Sequence, residues 1–144
     1  MKSGQVVFTL IALCTWTALM AQQNGADKPD PCVVAPAFHC VQTLADGTLL
    51  AYFGYSYSCP DGSRPKLEKY IDIGDKNLFT PGAKDRGQSK VFLPGRHVNV
   101  FQVELSPKEV RKKVPLMWKV LGRTAQVSYT TTADGDLDCS KLPK

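Results

Sequence analysis

Residues 85–96, DRGQSKVFLPGR, form the stretch whose residue types could bind an anion. An arginine guanidinium can hold a carboxylate through two parallel hydrogen bonds, and a glycine permits backbone turns that other residues adopt with difficulty. Turn residues flank the stretch, which favours a structural role in which Asp85 and Arg86 or Arg96 brace a crossing between sheets. We therefore predict a structural loop, with anion binding as the alternative, formed by Asp85, Arg86, Gly87, Gln88 and Arg96.

A group of basic residues is the second candidate site. It could contact an acidic polysaccharide or another matrix polymer, or anionic lipid, and the alternative is an ordinary solvated face. The formal net charge of the chain is only +5, and it is not concentrated in the basic stripe that nucleic-acid binding requires. We expect no nucleic-acid partner, and a candidate patch for an anionic partner made of Lys108, Arg111, Lys112, Lys113 and Lys119.

The tyrosines of residues 52–57 are a third candidate. Tyr52, Tyr55 and Tyr57 stand close together with Phe53 between them, and such a cluster could bind sugars through an aromatic face. At this spacing on a strand, aromatic residues more often pack in the core or across strands.

The acidic stretch DGDLD resembles the start of a calcium loop, because Asp134, Asp136 and Asp138 alternate. An EF-hand also needs a bidentate glutamate at loop position twelve, and this position would follow the last residue of the chain. An EF-hand is therefore excluded, although weak calcium contact is not.

Catalytic and metal-binding patterns have little support. No G-x-S-x-G motif is present, and only His39 and His97 could join cysteines at a zinc site that has no C-x-x-C pair. We expect a protein that is not an enzyme and that has no metal or cofactor.

The N-terminal residues predict secretion. Lys2 precedes an apolar run from Val6 to Met20 and the small residue Ala21, which is the arrangement of a secretory signal peptide over residues 1–21. The run is too short to cross a bilayer, so no membrane span is expected.

Four cysteines remain after residue 21, and an oxidising compartment favours two disulfides among them. Three pairings are possible. We favour Cys32 with Cys139, which would join the two ends of the domain, and Cys40 with Cys59, which would join two early strands, and the other pairings stay open.

Short β-type segments separated by turns make up the rest of the chain. Residues 22–37 read as a flexible arm, and residues 38–144 as a single domain. TLLAYFGYSYS predicts a central strand covered on both faces, KLEKYIDIG a strand with one wet face, and HVNVFQVEL a strand with a bulge or a crossing between sheets. Ser106 and Glu109 predict a capped helical turn with Pro107 at its first position. The fold class is all-β: an Ig-like β-sandwich of about seven strands with one short helical insert.

Several short stretches resemble a small extracellular β-sandwich domain of bacterial surface proteins and some secreted eukaryotic proteins. In chain order they are CV at 40–41, DGT at 46–48, AYFGY at 51–55, IG and N.F within 73–79, DRGQ at 85–88, F.PGR at 92–96, Trp118 and GRTA at 122–125. Their order and rough spacing match over most of the chain that follows the predicted signal peptide. Ser89, where proline is common in the family, the helical insert and the additional cysteines Cys32, Cys59 and Cys139 depart from it. The resemblance implies an extracellular location and an adhesive or matrix role, and it brings no catalytic residues.

These observations together predict a secreted, extracellular, non-enzymatic structural or binding protein of an extracellular matrix, with a biomineral organic matrix as one setting. The alternative is a soluble recognition or defence protein that uses the basic patch against acidic surfaces. No residue pattern sets the oligomeric state.

Overall fold

The computed structural model describes residues 31–129 and Cys139, which form an all-β domain with one short helix. This confirms the predicted fold class, with eight strands where about seven were expected. The predicted signal peptide, residues 22–30 of the predicted arm and the DGDLD stretch lie outside the described residues. The elements are β1 Val33–Thr43, β2 Leu49–Ser58, β3 Lys69–Tyr70, β4 Asn77–Thr80, β5 Val91–Phe92, β6 Gly95–Leu105, α1 Pro107–Lys112, β7 Met117–Val120 and β8 Arg123–Gln126.

The strands form three antiparallel sheets. The larger two have the orders β1-β2-β6 and β4-β7-β8, and β3 pairs with β5 in a short ribbon. In chain order, these two sheets correspond to strands A-B-E and C-F-G of an immunoglobulin sandwich. The helix α1 occupies the connection between the strands that correspond to E and F.

Aromatic rings fill the space between the two larger sheets. Phe53 of β2 contacts Phe79 of β4 and Trp118 of β7 edge to face, with ring centroids 5.3 Å and 6.0 Å apart. Phe101 of β6 meets the same Trp118 ring at 4.8 Å. Phe53, Phe79 and Trp118 are fully buried. Because rings from both sheets interlock, burial of these side chains holds the two layers together.

The central position predicted for TLLAYFGYSYS is confirmed, because β2 lies between β1 and β6. Its coverage differs from the prediction. Leu49, Ala51 and Phe53 are buried in the core, whereas Leu50 and Tyr52 on the opposite face are only half-buried. Only one face of β2 is therefore fully buried. The strand is central because it hydrogen-bonds to β1 along one edge and to β6 along the other.

KLEKYIDIG forms much less strand than its alternation predicts. Only Lys69 and Tyr70 pair with β5, and Ile71 is buried while Leu67 is 78% exposed. Beyond Tyr70 the strand pairing does not continue. The backbone N–H of Ile71 donates to the carbonyl of Lys90 at 2.8 Å, but the Ile71 carbonyl accepts from the side chain of Asn77 at 3.0 Å instead of from a partner strand.

Bulges on both neighbours of β2 meet at Gly54. In β1, Phe38 faces Phe53 and Cys40 faces Tyr52, so His39 is an extra residue. On the other side, three residues of β6 between His97 and Phe101 stand against Gly54 alone. This confirms the bulge alternative for HVNVFQVEL.

The arm predicted over residues 22–37 is wrong in its last part. Residues 33–37 are the first half of β1 and pair with residues 54–58 of β2, so the domain starts before residue 38. Proline and alanine made this stretch read as a loop. Pro36 is accommodated because β1 is the outer strand of its sheet, where a missing backbone N–H need not leave a neighbouring strand unpaired.

The predicted disulfide pairing is also wrong. The bridges join Cys32 to Cys59 and Cys40 to Cys139. The register of β1 on β2 places Val33 opposite Ser58, which brings Cys32 next to Cys59 at the end of the hairpin. The hairpin register therefore explains the first bridge, and the second joins the other two cysteines of the described residues.

The helical insert forms where the capping box predicts it. Ser106 caps α1 by accepting a hydrogen bond from the backbone N–H of Glu109, whose side chain reaches back to the backbone of Ser106. Pro107 occupies the first turn, where its missing N–H costs nothing. The helix ends at Lys113, which adopts the left-handed conformation with φ 48°.

Candidate functional site

The DRGQ loop is held by hydrogen bonds among its own residues. The backbone N–H of Gly87 donates to Oδ1 of Asp85 at 2.9 Å, and the backbone N–H of Arg86 donates to Oε1 of Gln88 at 2.8 Å. The buried Gln88 amide in turn donates to the carbonyl of Lys84 at 2.8 Å. With φ at 84°, Gly87 adopts the left-handed conformation that this turn requires.

Arg86 links this loop to the helical insert. Its Nη2 lies 2.9 Å from Oε1 of Glu109, and the two side chains are 17% and 39% exposed. Sequence reasoning placed Asp85 among the bracing residues but missed Glu109 as the partner of Arg86. Burial acts to raise the pKa of Glu109, but the hydrogen bonds from Arg86 and Ser106 outweigh it, so that the pKa lies below its usual range.

Arg96 lies apart from the other four residues of the predicted structural loop. It is exposed on β6, whereas residues 85–88 lie together between β4 and β5. Arg86 is paired with Glu109, so its guanidinium already holds a carboxylate of the chain itself.

A cleft of about 210 Å³ opens between this loop and α1. Apolar side chains of Leu105, Val114 and Leu116 line it together with the Arg86–Glu109 ion pair. Tyr129 borders the cleft and donates its hydroxyl to the carbonyl of Val114 at 2.6 Å, and burial raises its pKa. Of the charged side chains that line the cleft, Arg86 and Glu109 pair with each other and Lys112 forms no ion pair within the described residues. No cluster of three or more histidine, cysteine or acidic side chains that could hold a metal occurs in the part of the chain described.

Four basic side chains around α1 form an exposed group that we call the α1 basic cluster. All four are solvent-exposed, and within residues 31–129 none of them forms an ion pair. They are Lys108, Arg111, Lys112 and Lys113. Lys119, the fifth residue of the predicted patch, is half-buried on β7 opposite Leu78 and Thr124, so it belongs to a different surface.

The tyrosines of β2 do not form an open aromatic face. Tyr55 and Tyr57 are each 3% exposed, and the Tyr55 hydroxyl accepts a hydrogen bond from the backbone N–H of Leu93 at 2.9 Å. Tyr52 is half-buried and donates its hydroxyl to Gln42 on β1 at 3.2 Å. The arrangement matches packing rather than sugar binding.

Sequence reasoning missed a buried polar group at Asn77. Its amide donates to the carbonyls of Ile71 and Ser89 at 3.0 Å and 2.8 Å, and its Oδ1 accepts from Nε1 of Trp118 at 2.9 Å. Asn77 is fully buried. An asparagine two residues before an aromatic, in the stretch that carries the resemblance, was the available indication.

No protein-family model matches this chain, and no curated protein and no solved structure matches it either. No helix within the described ranges is long and apolar enough to cross a membrane. Support for a function therefore comes from the chain's own residues.

Proposed function

We propose that this protein is a secreted, non-enzymatic binding module of an extracellular matrix, and that it holds acidic polysaccharide or another acidic matrix polymer through the α1 basic cluster. The organic matrix of a biomineral is one such setting. The β-sandwich acts as the rigid support for this surface.

The α1 basic cluster is the observation that carries the proposal. Its four charges lie within six consecutive residues and make no ion pair in the described part of the chain, so they are available to an external anion. Glu109 is the one acidic side chain of α1, and it pairs with Arg86 rather than with any of these four cations. A flexible acidic polymer suits such a surface because its negative charges recur along the polymer and can meet several of these cations at once.

Two further observations support an extracellular setting. The domain carries two disulfides, and such bonds persist in oxidising compartments. The expected signal peptide and the resemblance to extracellular β-sandwich domains agree with this location.

Binding of the oxidised protein to an immobilised acidic polysaccharide tests the proposal, with a neutral polysaccharide as the negative surface. Replacing all four residues of the α1 basic cluster by glutamine should weaken binding at least about tenfold, because several exposed ion pairs of modest strength are lost together. Affinity of the unaltered protein should fall steeply as salt screens these charges. A matched control replaces four exposed cations outside the cluster by glutamine: Arg64, Lys66, Lys76 and Arg123.

Equal loss of affinity in both quadruple variants would show that net charge alone drives binding, and affinity that survives high salt would remove the charge-based site. The alternative, a soluble recognition or defence protein, uses the same cluster. Tighter binding to vesicles of anionic lipid than to acidic polysaccharide would favour that alternative.

A further inference from the structure

Arg111, Lys112 and Lys113 are the only lysine or arginine residues that stand next to one another in the sequence. Paired basic residues are recognised by a class of serine endoproteases of the secretory pathway. Acidic pockets in these enzymes bind both side chains, and the chain is cut after the second basic residue. The run therefore contains a candidate cleavage site, and its place in the fold decides whether a protease can reach it.

The peptide bond after Lys113 lies in the exposed connection between α1 and β7. Residues 111–115 are all exposed, and residues 114–116 form an irregular segment. Lys113 ends α1 in the left-handed conformation, with φ 48°. Exposed connecting segments of this kind are where folded proteins are most readily nicked.

A protease binds its substrate in an extended form, so the last turn of α1 must open before cleavage. The side-chain contacts that fix α1 lie at its start. They are the capping box of Ser106 with Glu109, and the ion pair of Glu109 with Arg86. The last turn can therefore open while these contacts stay in place.

Two hydrogen bonds hold the segment that has to move. The backbone N–H of Lys113 donates to the carbonyl of Val110 at 3.1 Å, and the Tyr129 hydroxyl donates to the carbonyl of Val114 at 2.6 Å. Every residue of α1 is exposed or half-buried. Opening of the last turn moves only exposed side chains, and such segments open far more often than the whole domain unfolds.

We propose that a serine endoprotease specific for paired basic residues cleaves this protein after Lys113, and that the product is a two-chain protein joined by a disulfide. Water is the second reactant. Hydrolysis breaks the bond between the Lys113 carbonyl carbon and the Val114 nitrogen. The water oxygen becomes part of a new carboxylate on Lys113, and the Val114 nitrogen becomes a new terminal amine.

The fold keeps the two chains together after the cut. Cys40 precedes the cut and Cys139 follows it, so their disulfide joins the chains covalently. Cys32 and Cys59 both lie in the first chain. The second chain still contributes β7, which pairs with β4, and the fully buried Trp118. Cleavage should therefore leave the sandwich folded.

Cleavage would also change the α1 basic cluster. The new carboxylate of Lys113 adds a negative charge within the cluster, whereas the new ammonium belongs to the second chain. Binding of an acidic polymer should weaken about two- to fivefold, which is the effect of one exposed charge pair. This consequence rests on the proposed function, but the cleavage itself does not.

Digestion of the oxidised full chain with a subtilisin-like endoprotease specific for paired basic residues tests the proposal. A synthetic peptide of residues 108–117 is the unfolded reference. The protein should be cut within about a hundredfold of the rate for the peptide, because only the last turn of α1 opens. A cut that required global unfolding would be slower by at least about a thousandfold.

The products identify the bond. Without reduction and in denaturant, the cleaved protein should keep the mass of the intact chain plus one water. After reduction, a second chain beginning at Val114 should appear. Circular dichroism of the unreduced product should retain the β-sheet signal.

Lys112→Gln should slow cleavage at least about tenfold, because Lys112 belongs to both basic pairs in the run. Lys108→Gln is the matched control. Lys108 is an exposed cation of the same helix without a basic neighbour, so its replacement should leave the cleavage rate unchanged.

A protein that stays intact while the peptide is cut overturns the proposal, because the fold then protects the bond. A peptide that is not cut overturns it as well, because the basic run is then not recognised. A first cut at another bond, or chains that separate without reduction, rejects the site or the two-chain product. Cleavage after Lys113 in a protein that binds no acidic polymer would leave this inference standing while the proposed function fails.

Discussion

Asn77 is a fully buried polar residue in the second sheet. It lies at the start of β4 and hydrogen-bonds to three groups on other parts of the chain: two backbone carbonyls and the Trp118 indole. Buried networks of this kind are stabilising only when every member has a partner. Asn77 therefore ties the β4 end of the sheet to the loop that follows and to β7.

Asn77→Asp should lower the free energy of unfolding by about 3 kcal/mol or more, because the carboxylate cannot donate to two buried carbonyls and is itself desolvated. Urea unfolding followed by tryptophan fluorescence measures the change. Asp75→Asn is a suitable control, since the ion pair of Asp75 with Lys84 is exposed and should contribute little. An aspartate variant as stable as the unaltered protein would show that the network is dispensable.

The ion pair of Arg86 with Glu109 gives the protein a predictable response to pH. Its hydrogen bonds hold the pKa of Glu109 below the unfolded value despite the effect of burial. The pair therefore stabilises the fold at pH values above the unfolded pKa, and this stabilisation is lost as the pH falls through the folded pKa.

Glu109→Gln should cost about 1 kcal/mol or less at neutral pH, since both side chains keep contact with solvent. The difference from the unaltered protein should disappear in acid, where Glu109 is protonated in both states. Denaturant unfolding at a series of pH values measures this, with the exposed Glu68→Gln as the control. A difference that stays constant into acid would assign the effect to helix capping rather than to charge.

At the scale of elements, the two bulges around β2 explain why a glycine stands in the middle of a buried strand. A Cβ atom at Gly54 would overlap the carbonyl oxygen of His97 and would also approach the ring of His39. Glycine in a strand interior commonly marks such a close approach of backbones. The bulges and the glycine are therefore one feature spread over three strands.

Gly54→Ala should destabilise the domain by about 2–3 kcal/mol, because β6 or β1 must move to make room. Thermal unfolding by circular dichroism measures the loss. Ser56→Ala lies on the same strand and face and should have a small effect. Equal stability of the two variants would mean that the bulges adjust without cost.

At the scale of the whole molecule, the two disulfides close loops of very different length. Cys32 and Cys59 are separated by 27 residues, and Cys40 and Cys139 by 99. A bridge across a longer loop restricts the unfolded chain more. The second bridge also secures the C-terminal side of the domain to β1.

Peptide mapping without reduction should recover Cys32 with Cys59 and Cys40 with Cys139. On the chain-entropy relation, removing the first bridge costs about 3.5 kcal/mol and removing the second about 4.7 kcal/mol. Paired cysteine-to-serine variants, unfolded in denaturant, measure the order of the two effects. Recovery of a Cys40–Cys59 peptide would contradict the β1–β2 register.

The sequence by itself determined those features that depend on neighbouring residues. Ser106, Pro107 and Glu109 predict the capped helix because each acts within one helical turn, and the alternation of residues 49–57 predicts β2 because its period is local. Composition was less informative for residues 33–37. Pro36 suggested a flexible arm there, whereas these residues form a strand by pairing with β2.

Only the tertiary structure decided which distant residues meet. The register of β1 on β2 sets the partner of Cys32. Packing of the DRGQ loop against α1 places Glu109 beside Arg86, and the pairing of β7 with β4 places Lys119 away from the α1 basic cluster. Cys59 is 27 positions from Cys32, and Glu109 is 23 positions from Arg86. The formation of such contacts depends on the register between whole strands, and a single-residue shift sends every side chain to the opposite face.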